Sequence, residues 1–232
     1  MRRLFRLLGL QAVLTCLIVH SAHAQQRAGD ATRVQQDASQ TQAGRGANAL
    51  VSGDTIYRQA LLETARFGSA DILLDDQTRL VIGPDSDVTI DEYVYAPANS
   101  ASRATLSLGI GVLRLVSGRL PKEGVSVRTP IATVGIRGTD FTLDTRTPGL
   151  LRVWVEDGEV EITPNESGLV FDFSAFSQVD CTANFCRQGG GGAVPRAFPP
   201  RGGGNDQTGF GTENDPDNAG GEGNDGGSGG RQ

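Results

Sequence analysis

The residue types that most often carry catalysis are scarce in this chain. Its two histidines, His20 and His23, lie within the first 24 residues, and Lys122 is its single lysine. Serine and cysteine nucleophiles need a neighbouring base, and zinc sites usually draw on histidine or cysteine. Lys122 lies in the segment LPKEGVS, which is typical of a solvated polar turn. Beyond residue 24 we therefore exclude histidine-assisted nucleophiles and histidine zinc sites, and we expect neither a metal nor a cofactor.

Carboxylates are the remaining candidates for acid–base chemistry. The adjacent pairs Asp75–Asp76, Asp91–Glu92 and Glu156–Asp157 could in principle supply the acid and base of glycoside cleavage. However, neighbouring residues on a strand point to opposite faces, and two of the pairs stand where turns are expected. We predict that the chain is not an enzyme, with a carboxylate-based hydrolase as the least favoured alternative.

The first 24 residues have the pattern of a secretory signal peptide. Three arginines precede an apolar run over residues 7–19, and Ala-His-Ala at 22–24 forms a small-x-small cleavage site. We predict cleavage between Ala24 and Gln25. A run of this length is too short to span a bilayer comfortably. We therefore expect a periplasmic or secreted chain of a Gram-negative bacterium, with no membrane span after cleavage.

The charge balance argues against nucleic acid as a partner. The full chain has a formal net charge of −6. Loss of the three signal-peptide arginines would take the net charge to about −9. Because nucleic acids are polyanions, a strongly acidic chain is repelled by them.

Two cysteines, Cys181 and Cys186, remain after the predicted cleavage. In an oxidising compartment, a pair five residues apart predicts a local disulfide. The alternative, a metal site, would have to complete its ligand set with carboxylates.

The composition divides the mature chain into three parts. Residues 25–47 are rich in Gln, Ala and Gly and are predicted to form a disordered leader. Residues 48–187 carry β-branched and apolar residues at period two and are predicted to form one β domain. Residues 188–232 are rich in Gly, Asn and Asp and are predicted to be a disordered tail.

Strand signals in the central part recur every eight to twelve residues or so, which predicts an all-β fold. The segment LLRVWVEDGEVEIT is interpreted as two strands joined by an Asp157–Gly158 hairpin turn. The short spacing of the glycines suits a compact wound sheet resembling a β-solenoid. A β-sandwich is the alternative.

The segment TPIATVGIRGTDF, residues 129–141, interrupts a strand pattern with proline and glycine. We predict that Pro130 ends one strand and that Gly135 accommodates a bulge. Arg137 is predicted to be half-buried and to tie adjacent turns together by hydrogen bonds. The alternative is an exposed recognition point for a carboxylate or a partner protein. The predicted structural turn comprises Thr129, Pro130, Gly135, Arg137, Gly138, Thr139 and Phe141.

Four segments together resemble the FecR-like periplasmic domain family over about residues 50–175. They are LLDDQTRLVIGPDSDVTIDEYVY, GVLRLVSGRL, VSVRTPIATVGIRGTDFTLD and VWVEDGEVEI. The resemblance implies a β-rich, solenoid-like winding, and it implies that the turn residues named above within 129–141 are the family's identifying motif. It also implies kinship with periplasmic sensors that contact an outer-membrane receptor and control a sigma factor across a membrane-spanning helix. With a cleavable signal in place of that helix, this chain is expected to be a soluble, stand-alone member.

We therefore expect a non-catalytic binding or signalling module whose partner is an envelope protein, such as a membrane receptor or sensor. Contact could be made by strand addition at an open sheet edge. The alternative is a structural module that binds cell wall, peptidoglycan or another glycan through Tyr93, Tyr95 and Trp154.

Overall fold

The computed structural model describes residues 26–96, 102–121 and 123–189. The predicted signal peptide, its cleavage site and the predicted tail beyond residue 189 lie outside the described residues. Every regular element in the described ranges is a β-strand, so the all-β prediction is confirmed. The strands are β1 (Arg27–Gln35), β2 (Ala38–Thr41), β3 (Ala47–Ala49), β4 (Thr55–Tyr57), β5 (Leu61–Thr64), β6 (Ser69–Leu74), β7 (Arg79–Ile82), β8 (Ser86–Val94), β9 (Arg103–Leu108), β10 (Val112–Val116), β11 (Val125–Arg128), β12 (Ala132–Asp144), β13 (Leu151–Pro164), β14 (Phe171–Ser174), β15 (Ser177–Cys181) and β16 (Cys186–Gln188).

These strands form a single sheet that curls into a half-barrel, which confirms the wound-sheet prediction. Twelve strands follow one another in the order β3-β2-β5-β8-β9-β11-β12-β10-β7-β6-β1-β4. The remaining four lie on the flank of β12, where β13 pairs with β14 and β15, and β15 pairs with β16. Pairing is antiparallel except between β9 and β11.

The concave face of the sheet holds the hydrophobic core. Alternate residues of most strands point inward, and Leu106 and Leu108 of β9 and Leu113 and Leu115 of β10 are fully buried. Burying a side chain of this size stabilises the fold by about 1.5–3 kcal/mol.

The prediction of a disordered leader over residues 25–47 is wrong, because most of these residues form strands. β1 and β2 lie within this range, and β1 is inserted between β6 and β4, where its backbone groups are paired on both sides. Its small side chains Ala28 and Ala31 are fully buried and belong to the hydrophobic core. The β domain therefore begins at Arg27 rather than Asn48, and the scarcity of large aliphatic residues was misleading.

The curl of the sheet brings β2 and β4, near its two ends, into contact. The buried side chain of Gln40 on β2 donates from Nε2 to the carbonyl oxygen of Thr55 at 3.1 Å. Its Oε1 accepts from the backbone N–H of Tyr57 at 3.1 Å. One side-chain amide thus replaces a pair of ladder hydrogen bonds and closes the gap.

Candidate functional site

Two long strands, β12 and β13, carry the sheet around a sharp bend. Residues 133–136 of β12 pair with β11, whereas residues 140–144 pair with β10 on the same side of the strand. The register shifts between Arg137 and Asp140, and the buried positions change from even to odd numbers there. The segment singled out in the sequence is therefore the bend of β12.

The neighbouring strands bend at the same level. Gly138 on β12 (φ 70°), Gly158 on β13 (φ 78°) and Phe176 (φ 64°), between β14 and β15, all have left-handed backbones. Asp157 and Gly158 thus lie within one long strand, next to the extra residue Glu156, and the predicted two-strand hairpin is wrong. β13 runs on because both of its halves remain paired with β12.

Thr129 and Pro130 lie in the tight turn between β11 and β12. The side-chain oxygen of Thr129 donates to the carbonyl of Ala132 at 2.8 Å and accepts from its N–H at 3.0 Å. Exposed Pro130 follows, at the second position of this four-residue turn, where its fixed φ is favoured.

Gly135 and Arg137 differ from their predicted roles. Gly135 lies within β12 without left-handed φ, and a Cβ there would meet only ordinary contacts at 3.7 Å, so the bulge glycine is Gly138. Arg137 is exposed rather than half-buried, and its guanidinium donates to Glu161 on β13 at 3.2 Å. An exposed pair of this kind contributes about 0–1 kcal/mol to stability.

The last two motif residues point inward. Phe141 is fully buried in the core. Thr139 is also buried, and its backbone N–H donates to Ser117 Oγ at 2.9 Å while its carbonyl accepts from Ser117 N–H at 3.0 Å. Both residues hold the bend against the concave core.

On the convex face of the bend lies a charged group of three residues. Arg114 of β10 donates two hydrogen bonds to Asp140 of β12, at 2.7 and 2.5 Å. Glu156 of β13 lies near this pair, and both of its carboxylate oxygens are closed off from solvent without a hydrogen-bond partner. Burial, and then the charge of Asp140, raise the pKa of Glu156 to about 7. That value suits a general acid, but a carboxylate sealed from solvent cannot reach a substrate.

A second buried polar cluster was not recognised from the sequence as a unit. Asp76, in the β6–β7 turn, is fully buried and accepts hydrogen bonds from Tyr93 OH at 2.9 Å and Thr78 Oγ1 at 2.5 Å. The same Tyr93 oxygen accepts from Asp76 N–H at 2.8 Å, and Gly118 N–H donates to Thr78 Oγ1 at 3.0 Å. The cluster ties β8 to the β6–β7 turn, and the signal for it was the Asp-x-Thr spacing within LLDDQTRL.

The three aromatic residues considered for glycan binding do not form an exposed platform. Tyr93 and Trp154 are buried, and Tyr95 packs partly buried against the core. Trp154 lies on the convex face, where the guanidinium of Arg152 sits 5.8 Å from its ring centroid. These positions leave the glycan alternative without the surface on which it rested.

Exposed apolar side chains instead flank β14 at both of its ends. Phe176 is 93% exposed, and Leu169, Val170 and Phe185 are each more than half exposed. Phe185 makes an edge-on contact with Phe171 of β14, with ring centroids 5.3 Å apart. β14 itself pairs with β13 on one side and with no other described strand.

The predicted disulfide between Cys181 and Cys186 is confirmed. The two cysteines are directly opposed at the β15–β16 pairing and both are buried. Within the described ranges, no group of three or more His, Cys, Asp or Glu residues could hold a metal ion. None of the described residues belongs to a helix that is long and apolar enough to cross a membrane.

Comparison with known proteins identifies the region that contains the bend. Residues 60–161 match the family model described as FecR protein. These residues form a FecR-family domain. The resemblance inferred from the four sequence segments is thereby confirmed, over a somewhat narrower span than 50–175.

Two solved structures are similar to this chain, both of a candidate anti-sigma factor from Parabacteroides distasonis, at 2.50 and 1.65 Å resolution. Their TM-scores are 0.45 and 0.44, each at 17% identity. The similarity covers 56% of this chain and 58% of theirs, so the chain spans little more than half of their length. No curated protein matches the chain.

Proposed function

We propose that this FecR-family chain is a non-catalytic module of the bacterial envelope that acts by binding another protein. The observation that carries the proposal is the series of exposed apolar side chains along β14, with Leu169 before the strand, Phe185 against Phe171, and Phe176 after the strand. Exposed apolar side chains that follow one strand in this way are typical of protein-binding surfaces. The family resemblance supports a signalling role, because the sensors it implies work through contacts with envelope proteins.

The charged residues give no comparable support to catalysis. The carboxylates of the predicted acid–base pairs are engaged in structure: Asp75 accepts from Arg27, Asp91 from Ser107, and Glu92 from Arg103. Glu156 has a raised pKa but is sealed from solvent.

Crosslinking in living cells tests the proposal. A photo-crosslinking amino acid placed at Leu169 of the full chain should form an adduct with one envelope protein, identified by mass spectrometry. The matched control is the same amino acid at Phe67, which is 71% exposed in the turn between β5 and β6. Equal labelling from both positions, or no protein adduct from Leu169, would contradict the proposal, as would fractionation of the chain with the cytoplasm.

A further inference from the structure

The free edge of β14 is protected only by the shortness of the strand, four residues, and by the charge of Asp172. Its sequence, Phe-Asp-Phe-Ser, contains no lysine, proline or bulge, and its backbone pairs with β13 on one side only within the described chain. Such an edge presents backbone N–H and C=O groups that can pair with another extended segment. Phe171 and Phe173 of β14 face the core, while Asp172 and Ser174 are exposed on the convex face.

Phe176, at the end of this edge, combines two unfavourable features. Its backbone is left-handed, at φ 64°, which is costly for a bulky residue. Its ring is 93% exposed, so no packing within the described chain offsets that cost. Glycine would adopt the left-handed conformation at this position without steric cost. We therefore infer that the phenyl ring of Phe176 has a role other than stabilising the local fold.

The convex face beside the edge is acidic. Asp172 lies directly opposite Glu161 in the β13–β14 register, and Glu159 is two residues along β13. Like charges placed directly opposite each other destabilise a sheet. Arg137 lies opposite Glu159 and forms an ion pair with Glu161 at 3.2 Å, so one positive charge faces these three carboxylates. A strand added beside β14 would relieve the repulsion if it brought basic side chains to this face.

This charge pattern distinguishes between occupants. A second copy of β14, paired edge to edge, would bring another Asp172 onto the same acidic face. The core-facing side of the edge is apolar, because Phe171 and Phe173 lie there beside Ile162 and Val160 of β13. The occupant that fits both faces is a strand with basic residues on one side and apolar residues on the other.

We propose that the β14 edge binds an extended segment of a partner protein in which basic and apolar side chains alternate. The basic side chains face Asp172 and Glu161, the apolar ones extend the row of Phe171 and Phe173, and Phe176 anchors one end. This inference rests on the proposed function, since it names the surface and the partner chemistry of the same binding activity.

Peptide binding to the full chain provides the test. The probe is a fluorescent six-residue peptide that alternates arginine and valine, and its counterpart alternates aspartate and valine. Fluorescence anisotropy should show the arginine peptide binding at least about tenfold more tightly, a difference of about 1.4 kcal/mol. Hydrogen exchange should show new protection of the Phe171–Ser174 amides when the arginine peptide is bound.

Two variants probe the named residues. Asp172→Lys should reverse the preference toward the aspartate peptide, which a purely structural role for Asp172 would not do. Phe176→Gly should weaken binding about tenfold or more without lowering the unfolding midpoint. The matched controls are Glu63→Lys, at an exposed position of β5, and Phe67→Gly, both of which should leave binding unchanged.

Several results would overturn the inference. They are equal affinity for the two peptides, an unchanged preference in Asp172→Lys, and a dimer in sedimentation that Phe176→Gly dissociates. Peptide binding that appears only after deletion of residues 190–232 would mean that those residues occupy the β14 edge. That result would also overturn the inference. If the adduct from Leu169 still forms in Asp172→Lys and Phe176→Gly, the β14 edge is not the binding surface, although the chain does bind a protein. Peptide binding without any cellular adduct would refute the function instead.

Discussion

Gly158 of β13 lies against the backbone of Gly138 of β12 at the bend of the sheet. A Cβ on Gly158 would stand 2.2 Å from the carbonyl oxygen of Gly138, and both residues have left-handed φ angles. The bend therefore requires glycine at position 158 for two independent reasons, the backbone conformation and the close approach of the neighbouring strand.

Gly158→Ala should accordingly destabilise the domain strongly. The left-handed conformation alone costs about 1–2 kcal/mol for a residue with a Cβ, and the backbone contact adds to it. We expect a loss of about 2 kcal/mol or more in the free energy of unfolding, measured by urea denaturation. Gly135→Ala is the matched control, because its Cβ would meet only ordinary contacts at 3.7 Å. Equal effects of the two substitutions would contradict this account.

Much of the fold was accessible from the sequence because period-two patterns survive in nearly every strand. The bend was not, because Gly138 and Gly158 look like turn residues when each segment is considered alone. The signal was a change of phase: the buried positions Val134 and Ile136 are even-numbered, and Phe141 and Leu143 are odd-numbered. A hairpin reverses the chain, whereas a bulge shifts the phase and lets the strand continue.

The first strands and the exposed edge were missed for different reasons. Ala28 and Ala31 are weak hydrophobic signals, and their burial depends on the distant strands β4 and β6. Likewise, nothing local shows that Phe176 would be exposed while Phe171 packs against the core, since that depends on how β14 lies against β13. Contacts between residues far apart in sequence determine both outcomes.

Tyr93→Phe should destabilise the domain through the buried cluster. Loss of the hydroxyl removes an acceptor for Asp76 N–H and a donor to the Asp76 carboxylate in a fully buried site. An unsatisfied buried group costs about 1–3 kcal/mol, and we expect a decrease of that size in the free energy of unfolding. Tyr57→Phe on β4, whose hydroxyl makes none of the described hydrogen bonds, serves as the control. If Tyr93→Phe is as stable as the parent, the hydrogen bonds of the Tyr93 hydroxyl make no net contribution to the free energy of unfolding.

The two arginines beside the bend should differ in their contribution to stability. Arg137→Ala removes a single contact between side chains that are 48% and 38% exposed, so we expect a change of no more than about 1 kcal/mol. Arg114→Ala removes a two-bond pair to Asp140, with side chains 12% and 21% exposed, and leaves Asp140 beside Glu156. We expect a loss of about 2–3 kcal/mol. Chemical denaturation of both variants in one buffer measures the two losses in the free energy of unfolding. A larger loss for Arg137→Ala than for Arg114→Ala would contradict this account.

Glu156 should make stability depend on pH in a direction opposite to that of a salt-bridged carboxylate. Its pKa rises from 4.5 to about 7 on folding, mainly through burial, so the folded state favours the protonated form. The contribution of protonated Glu156 is fully present below pH 4.5 and is lost as the pH rises toward 7. Glu156→Gln keeps the neutral form at every pH. We therefore expect the variant to match the parent at pH 4 and to exceed it by up to about 3 kcal/mol at pH 8, because each pKa unit corresponds to about 1.36 kcal/mol. Urea unfolding at the two pH values measures the difference, with exposed Glu159→Gln as a control that should show little change at either. A constant difference between Glu156→Gln and the parent across this range would show that Glu156 does not titrate as its burial requires.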